Sequence, residues 1–306
     1  MDLHAMSADT AARLGGAGLD AATVADIIVR TLREDLAGGT DVTSEATVPA
    51  VQRSTVTFGA RADGCLAGVD VAAAVVEIVC GADGTTVERL ANDGDRVQKG
   101  DVIMRVTTPT RPMLTAERTA LNLLCHLSGV ATATSRWVDA VAGTGAVVRD
   151  TRKTTPMLRA LEKHAVRCGG GQNHRMSLSD AALVKDNHIA AAGGVREAFA
   201  AVRVRAAGLP IEIEVDTLEQ LREAIDAGAD LVLLDNMPLN VLREAVSIAR
   251  AHRDATSRPV LLEASGGLTL ANARDVAETG VDYISVGALT HSSPVLDIGL
   301  DFVTVE

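Results

Sequence analysis

Aromatic residues are scarce in this sequence. They make up 2% of its 306 residues, as three Phe, one Trp and one Tyr. The core therefore has to be built from Ala, Val, Leu and Ile, and the apolar content of 47% is that of an ordinary globular protein. Single-stranded nucleic acid is usually held on aromatic side chains, so almost no platform of that kind is available. The length corresponds to one large or two ordinary domains.

Positive charge is also in short supply, because the chain has a formal net charge of −11. A protein that binds duplex nucleic acid normally carries a basic footprint, so we expect no nucleic-acid partner. Lysine occurs only four times, and three of the four lie between 153 and 185. Residues 149–185 hold eight Arg and Lys against three Asp and Glu, a balance of +5. One cationic segment in an acidic chain indicates a site for a small polyanion.

Cysteine pairs and long apolar runs are absent as well. The four cysteines contain no C-x-x-C spacing, which excludes zinc-ribbon and thioredoxin-type motifs, and we expect scattered free thiols. No stretch approaches the roughly 18 apolar residues of a membrane span. Residues 1–19 lack the basic start and apolar run of a secretory signal, and we interpret them as a polar lead-in. These absences favour a cytoplasmic protein without a membrane partner.

The first part of the chain mixes helical and extended patterns. Residues 20–36 repeat apolar positions at helical spacing, with Asp20 as the expected N-cap. Short β-type runs follow over 47–107, and the piece 92–106 (NDGDRVQKGDVIMRV) predicts a hairpin with a tight polar turn. A long helix is predicted over 115–143.

The second part of the chain alternates strands and helices regularly. Apolar strands are predicted to start near 146, 182, 211, 231, 259 and 283, with a helical segment between each pair. This alternation predicts a parallel sheet, and six units in so short a span favour a compact α/β barrel. A doubly wound open sheet is the alternative, although no G-x-G-x-x-G follows the first strand.

Polar residues follow every one of these strands. They are Arg149–Lys153, Lys185–Asn187, Glu214–Asp216, Asp235 with Asn236, Glu263–Ser265, and Gly287. In a barrel the carboxyl ends of the strands meet at one face, where active sites are built. Six such strand ends in succession therefore predict a single site.

The residue types at these positions indicate the chemistry. Cations that can match carboxylates and phosphates are Arg152, Lys153, His174, Arg175 and Lys185. Lys163 and the remaining cations of the segment are assigned to the helix surface or to positions behind the site.

Two further groups of residues suit a phosphorylated substrate. Glu214 and Asp235 end successive strands and suit Mg²⁺ bound to a polyphosphate. Ser265, Gly266 and Gly267 follow one strand and Gly287 the next, where backbone N–H groups can approach a phosphate. The residues alone thus predict an α/β-barrel enzyme for a phosphorylated sugar or polyphosphate, Mg²⁺ and an anionic co-substrate.

Several ordered strings of the sequence are characteristic. They lie at 34–50, 116–129, 150–175 (DTRKTTPMLRALEKHAVRCGGGQNHR), 178–188, 212–216, 233–237, 262–268 and 284–292. Together they closely resemble one family, quinolinate phosphoribosyltransferase, a type II phosphoribosyltransferase also called nicotinate-nucleotide pyrophosphorylase. The resemblance covers about residues 20–304.

The resemblance implies a fold, an assembly and a reaction. It implies an N-terminal open α/β sandwich over 20–128, joined by the tail 292–306, and an incomplete six- to seven-stranded parallel α/β barrel over 129–291. It implies a homodimer or higher oligomer. It also implies that quinolinate and phosphoribosyl pyrophosphate, with Mg²⁺, give nicotinate mononucleotide, pyrophosphate and CO₂ in de novo NAD synthesis.

The resemblance also implies a role for each matching residue. Quinolinate would be held by Arg152, His174, Arg175 and Lys185, with Arg118 coming from the neighbouring subunit. Phosphoribosyl pyrophosphate would meet Lys153 and Lys185, and Glu214 and Asp235 would face Mg²⁺ and the ribose. The 5′-phosphate would be held by Ser265, Gly266, Gly267 and Gly287, with His291 close by.

Two alternatives of different kinds stay open at this point. The first is a phosphoribosyltransferase for another pyridine or related acid, such as the relative of the same fold found in molybdenum operons. The second is a barrel that binds a metabolite without turnover. Product analysis separates the first from quinolinate chemistry, and loss of activity on changing Lys153 or Arg175 separates the second.

Overall fold

The computed structural model describes residues 3–306. The chain divides into two compact units. The first contains the residues up to Ser135 together with Thr155–Gly170 and Ser292–Glu306. The second contains Arg136–Thr154 and Gly171–His291.

Helices and strands alternate irregularly at first and regularly later. The elements up to the long central helix are α1 (Ala8–Gly16), α2 (Ala21–Leu36), α3 (Val42–Thr47), β1 (Arg53–Ala60), β2 (Gly64–Cys65), α4 (Val69–Cys80), β3 (Thr86–Arg89), β4 (Arg96–Val97), β5 (Val102–Pro109) and α5 (Thr110–Val141). The elements that follow are β6 (Val147–Arg149), α6 (Arg159–Cys168), β7 (Ala182–Val184), α7 (Asp186–Ala192), α8 (Val195–Arg205), β8 (Ile211–Val215), α9 (Leu218–Asp226), β9 (Leu231–Asp235), α10 (Leu239–Thr256), β10 (Leu261–Ser265), α11 (Ala273–Ala277), β11 (Tyr283–Ser285), α12 (Ala288–His291) and β12 (Ile298–Val305).

The first unit is built on a four-stranded antiparallel sheet in the order β12-β1-β5-β3. Alternate residues of β1 such as Val56 and Phe58 are fully buried, as expected for a strand with one face on a core. Helix α4 is apolar around most of its circumference and is buried over nearly its whole length. The sheet and its helices therefore form an α/β sandwich with an aliphatic core.

Residues Ala8–Gly16, inside the stretch 1–19 interpreted as a polar lead-in, form helix α1. The Ser7 hydroxyl caps this helix by accepting the Thr10 N–H at 3.2 Å. The buried Glu77 carboxylate accepts the Ser7 N–H at 2.8 Å and the Thr10 hydroxyl at 2.9 Å. Leu14 on the same helix is 1% exposed. The polar composition of residues 1–19 gave no sign of the buried Leu14 or of the hydrogen bonds from Ser7 and Thr10 to Glu77.

The predicted hairpin over 92–106 is also wrong. Strand β4 pairs with β2 in a separate two-stranded ladder, whereas β5 pairs with β1 and β3. The Asp101 carboxylate accepts the Gln98 N–H at 2.8 Å, and Gly100 has a φ of 100°. The tight turn exists as expected, but it leads the chain from one sheet to another because the sequence of a turn does not specify strand partners.

The second unit is built on a six-stranded parallel sheet in the order β6-β11-β10-β9-β8-β7. The first strand pairs with the last, as in a barrel, and within residues 3–306 no ladder joins β6 to β7. Gln172 covers part of the open edge by bridging to Arg149 of β6. A doubly wound sheet would place its first strand inside the sheet. The prediction of an α/β fold with an incomplete barrel is therefore confirmed.

The positions of charged residues on α6 and α5 bear on two expectations, the placement of Lys163 and the absence of a membrane span. Lys163 on α6 is 0% exposed, which excludes the helix surface, and a position behind the site stays the prediction for this residue. Helix α5 is the longest at 32 residues, but it carries several charged side chains. Over the described part of the chain, no helix combines the length and the apolar character needed to cross a membrane.

Candidate active site

The strand ends of the second unit enclose a cavity of about 600 Å³. Its lining includes all the predicted site residues except Arg118, Gly287 and His291. The full lining is Thr151, Arg152, Lys153, His174, Arg175, Leu183, Lys185, Glu214, Leu233, Asp235, Asn236, Glu263, Ser265, Gly266, Gly267 and Ser285. Parallel strands that end at one face thus bring together residues more than 110 positions apart.

One wall of the cavity is cationic. Arg152 and Arg175 are half-buried, and Arg175 donates from Nη1 to the carbonyl of Ala181 at 3.1 Å. Burial lowers the pKa of Arg175, and the neighbouring charge of Arg152 lowers it further. Two guanidinium groups that repel each other in a partly buried site are stabilised by an anion between them.

Lys153 lies beside Gly287 and His291, which follow the last strand of the barrel. Its backbone is held at both ends, because its N–H donates to the Thr151 hydroxyl at 3.0 Å and its carbonyl accepts from the Thr290 hydroxyl at 2.7 Å. A Cβ atom on Gly287 would lie 3.0 Å from Lys153 Cδ and 3.4 Å from His291 Nε2. Gly287 and His291 therefore lie next to Lys153, just outside the cavity lining.

Two further residues of the lining, Glu214 and Asp235, carry carboxylates. Glu214 forms an ion pair with Lys185, whose side chain is 45% exposed. Asp235 accepts a hydrogen bond from Asn236 Nδ2 at 2.6 Å. Two carboxylates on neighbouring strands, without histidine or thiol beside them, form the oxygen donor set that fits Mg²⁺.

The loop after β10 brings its backbone close to Asn236. Gly266 has a φ of 86°, and a Cβ atom there would lie 2.2 Å from Asn236 Oδ1. Asn236 itself has a φ of 52° and donates its N–H to the Ser265 carbonyl at 2.9 Å. Glycine is required at 266 for both reasons, and the backbone of this loop is presented at the strand ends.

Arg118 is the predicted residue that lies in the other unit. It is an exposed residue of α5 and does not line the cavity. Its role in a neighbouring subunit remains a prediction.

His174 is held from both sides by the protein. Its Nδ1 accepts the Arg175 N–H at 2.7 Å, which assigns the ring proton to Nε2. Nε2 lies 2.7 Å from Glu212 Oε2 and 3.5 Å from Glu263 Oε1. The buried Asp150 carboxylate accepts the His174 N–H at 2.9 Å. His174 therefore fixes the backbone that carries Arg175.

Two buried glutamates lie beside His174. The sequence analysis did not name Glu212, and it named Glu263 only among the polar strand ends, without a role. Arg149 Nη1 lies 2.7 Å from Glu263 Oε2, and the Ser285 hydroxyl donates to the other oxygen. Burial raises the pKa of Glu263, and the charge of Glu212 raises it further. Both residues interrupt apolar strands, and Glu212 shares a strand face with Glu214. A charge at an inward strand position was the available signal.

These features define a class of protein. A cationic cavity at the carboxyl ends of a parallel α/β barrel, with two carboxylates and a glycine turn, is the site of an enzyme that acts on small phosphorylated anions.

The chain belongs to the quinolinate phosphoribosyl transferase family. The family's N-terminal domain matches residues 41–128 and its C-terminal domain matches residues 130–301. The nicotinate-nucleotide pyrophosphorylase [carboxylating] of Mycobacterium leprae is 54% identical over 276 residues, covering 90% of this chain and 96% of that protein. A tobacco quinolinate phosphoribosyltransferase [decarboxylating] is 38% identical, covering 91% and 82%.

Solved structures of the family agree with the fold. The nicotinate-nucleotide pyrophosphorylase from Francisella tularensis superposes with a TM-score of 0.85 at 37% identity. The match covers 92% of this chain and 96% of that chain.

Proposed function

We propose that this chain transfers the phosphoribosyl group of phosphoribosyl pyrophosphate to quinolinate. The products are nicotinate mononucleotide, pyrophosphate and CO₂, in a step of de novo NAD synthesis. The observation that carries the proposal is one cavity whose lining combines cationic side chains, two carboxylates and a glycine turn. Quinolinate is a dicarboxylate and phosphoribosyl pyrophosphate is a polyphosphate. The cavity contains cationic side chains that can bind each of these anions.

On the quinolinate side, Arg152, Arg175 and Lys185 match the two carboxylates. Arg175 supplies a planar guanidinium whose lowered pKa reflects burial and the nearby Arg152. His174 contributes by fixing the backbone N–H of Arg175, and its Nε2 proton is directed to Glu212. Quinolinate thus meets side chains that are already oriented.

On the phosphoribosyl side, Lys153 faces the pyrophosphate, and the turn Ser265–Gly267 holds the 5′-phosphate with Gly287 and His291 beside it. Glu214 and Asp235 face the ribose and would hold Mg²⁺. Bound there, Mg²⁺ would neutralise charge on the pyrophosphate leaving group. The pairing of Lys185 with Glu214 links the two halves of the cavity.

The reaction follows from this arrangement of charges. The bond between ribose C1 and pyrophosphate breaks as positive charge develops on the ribose, and Lys153 offsets the charge on the leaving oxygens. The pyridine nitrogen then bonds to C1. The C2 carboxylate leaves as CO₂, its electron pair remains on C2 beside the cationic nitrogen, and a proton from solvent completes the ring.

The deciding experiment is product analysis after mixing the protein with Mg²⁺, quinolinate and phosphoribosyl pyrophosphate. We expect nicotinate mononucleotide, equimolar pyrophosphate and CO₂, with loss of turnover in EDTA and recovery on adding Mg²⁺. Nicotinic acid in place of quinolinate is the control for a different pyridine substrate. Absence of nicotinate mononucleotide, or equal turnover of nicotinic acid, would contradict the proposal.

Lys153→Ala and Arg175→Ala test the alternative of a barrel that only binds. Both variants should lose most of the turnover of the wild type. Arg222→Ala is the matched control, since Arg222 is half exposed and pairs on the surface with Glu244. A wild type that binds quinolinate without turnover would support the binding module instead.

We further propose a homodimer, or a higher oligomer built from it, whose site is completed by Arg118 of the neighbouring subunit. The exposed position of Arg118 on α5 is consistent with this role. Mixing inactive Arg118→Ala with inactive Lys185→Ala should restore part of the activity through hybrid dimers. No recovery after demonstrated subunit exchange would exclude a shared site.

We place this reaction in the cytoplasm. Within residues 3–306 none of the four cysteines forms a disulfide, as expected in a reducing compartment. The partners we propose are the small-molecule substrates and further copies of the chain, with no nucleic acid and no membrane.

A further inference from the structure

Three side chains with metal-binding atoms converge in the first unit, and the proposed reaction uses none of them. They are Asp93, His164 and Cys168, whose ligand atoms all lie within 4.8 Å of one another. His164 Nε2 is 2.7 Å from Asp93 Oδ2 and 3.3 Å from Cys168 Sγ. The cluster joins segments 71 residues apart in the sequence, so no local motif announces it.

The local structure holds the three groups on one side. His164 and Cys168 are four residues apart on α6, which places both side chains on the same face of the helix. Asp93 lies in the segment between β3 and β4, and its Oδ1 accepts the Val69 N–H at 2.9 Å. That hydrogen bond orients the carboxylate and leaves Oδ2 facing the imidazole, as expected for a supported ligand.

The chemistry of the set points to one kind of ion. A thiolate, an imidazole and a carboxylate are together the ligands of Zn²⁺, with bonds of about 2.0–2.3 Å in a tetrahedron. Neighbouring ligand atoms of such a tetrahedron lie roughly 3.5 Å apart, by the geometry of those bond lengths. The measured separation of Nε2 and Sγ is 3.3 Å, and only the Nε2–Oδ2 pair at 2.7 Å has to open.

Burial raises the pKa of the Cys168 thiol to about 12, and the charge of Asp93 adds to the effect. An ion bound by the sulfur would release the thiol proton, as metal binding by cysteine requires. The other cluster of this type, His174 with Glu212 and Glu263, is already neutralised by Arg149. The Asp93 carboxylate accepts from the Val69 N–H and faces His164, and the charge of Arg13 acts on it through space.

We propose that Asp93, His164 and Cys168 bind one Zn²⁺, with water at the fourth position, and that the ion ties α6 to the segment between β3 and β4. Arg167 opposes binding, since its Nη2 lies 3.4 Å from His164 Nδ1. Its guanidinium also donates to the Ala17 carbonyl at 2.7 Å and is exposed to solvent, which screens its charge. The site is independent of the proposed catalytic activity.

The test uses the full-length protein, freed of metal by a chelator and titrated with Co²⁺ and then Zn²⁺. A bound thiolate gives Co²⁺ a charge-transfer absorption that carboxylate sites such as Glu214 and Asp235 cannot produce. We expect this band at one equivalent in the wild type, with loss on adding Zn²⁺. It should be absent in Cys168→Ser and retained in Cys125→Ser, whose thiol donates only to a backbone carbonyl. Arg167→Gln should tighten Co²⁺ binding several-fold.

A second measurement covers the case in which Cys168→Ser does not fold. Zn²⁺ should slow alkylation of Cys168 in the wild type at least tenfold, as followed by peptide mass spectrometry, and leave Cys125 unchanged. It should also raise the melting temperature of the wild type and of Cys125→Ser. No thiolate band in the wild type, a band that persists in Cys168→Ser, or no protection of Cys168 would each overturn the proposal.

Discussion

Loss of the Glu263 side chain should strongly lower the stability of the second unit. It is 0% exposed, and its carboxylate accepts from Arg149 and Ser285 while facing His174. In Glu263→Ala, Arg149 keeps a guanidinium that is only 17% exposed and has lost its ion-pair partner. Breaking one side of a buried pair costs about 3–5 kcal/mol. For a unit of this size that corresponds to a fall of roughly 6–20 °C in melting temperature.

The conservative variant separates charge from shape. Glu263→Gln keeps the side-chain volume and one acceptor oxygen, which can still accept from Arg149, while the Ser285 hydroxyl can turn to accept from the amide N–H, so we expect a smaller loss than in Glu263→Ala. Differential scanning calorimetry at pH 7.5 measures both variants, with Glu219→Ala as a control because Glu219 is an exposed residue of α9. A loss below about 1 kcal/mol in Glu263→Ala, or equal losses in both variants, would refute the argument.

The pH dependence provides an independent check. The pKa of Glu263 is raised in the folded state, so the folded protein holds this proton more tightly than the unfolded chain. Stability contributed by this group is therefore present at low pH and falls as pH rises from the ordinary carboxyl pKa of about 4.3 through the folded value. The stability of the wild type relative to Glu263→Gln should decline over that window, and an increase would contradict the assigned direction.

Three further outcomes are expected. Arg175→Ala should raise the KM for quinolinate about 10- to 100-fold, and that for phosphoribosyl pyrophosphate far less, in steady-state assays. Gly266→Ala should raise the KM for phosphoribosyl pyrophosphate more than Gly267→Ala does, because its Cβ would lie 2.2 Å from Asn236 Oδ1 and that at 267 lies 3.9 Å away. Ser7→Ala should lower stability by about 1 kcal/mol in urea unfolding, because it removes the cap of α1. No change in any of these measurements would contradict the corresponding role.

The sequence predicted the second unit closely because its pattern is local and repeated. The six strands begin at 147, 182, 211, 231, 261 and 283, within two residues of the expected positions. Once the strands are known to be parallel, the residues that follow them must share one face. This is why Arg152, Lys185, Glu214 and Asp235 could be expected to line one cavity before any coordinates were considered.

The features that were missed depend on long-range contacts. Helix α1 is stabilised by Glu77, and the partners of β4 and β5 are chosen by the sheets around them. Glu212 was not noticed, and Glu263 was noticed only as a polar strand end, because their partners Arg149 and His174 are distant in sequence. Charge inside a strand signals a buried network, but its partners appear only in three dimensions.

The pairing of β1 with β12 has a consequence for how the chain folds. Arg61 and Asp301, which join the same two segments, are 240 residues apart. Closing a loop of that length costs on the order of 5 kcal/mol of chain entropy. At a synthesis rate of roughly 5–20 residues per second, β12 is made about 10–50 s after β1. One edge of β1 is unpaired during that time. The N-terminal sheet is thus completed only after the barrel strands have emerged, and a chaperone that shields the β1 edge should raise the yield of folded protein.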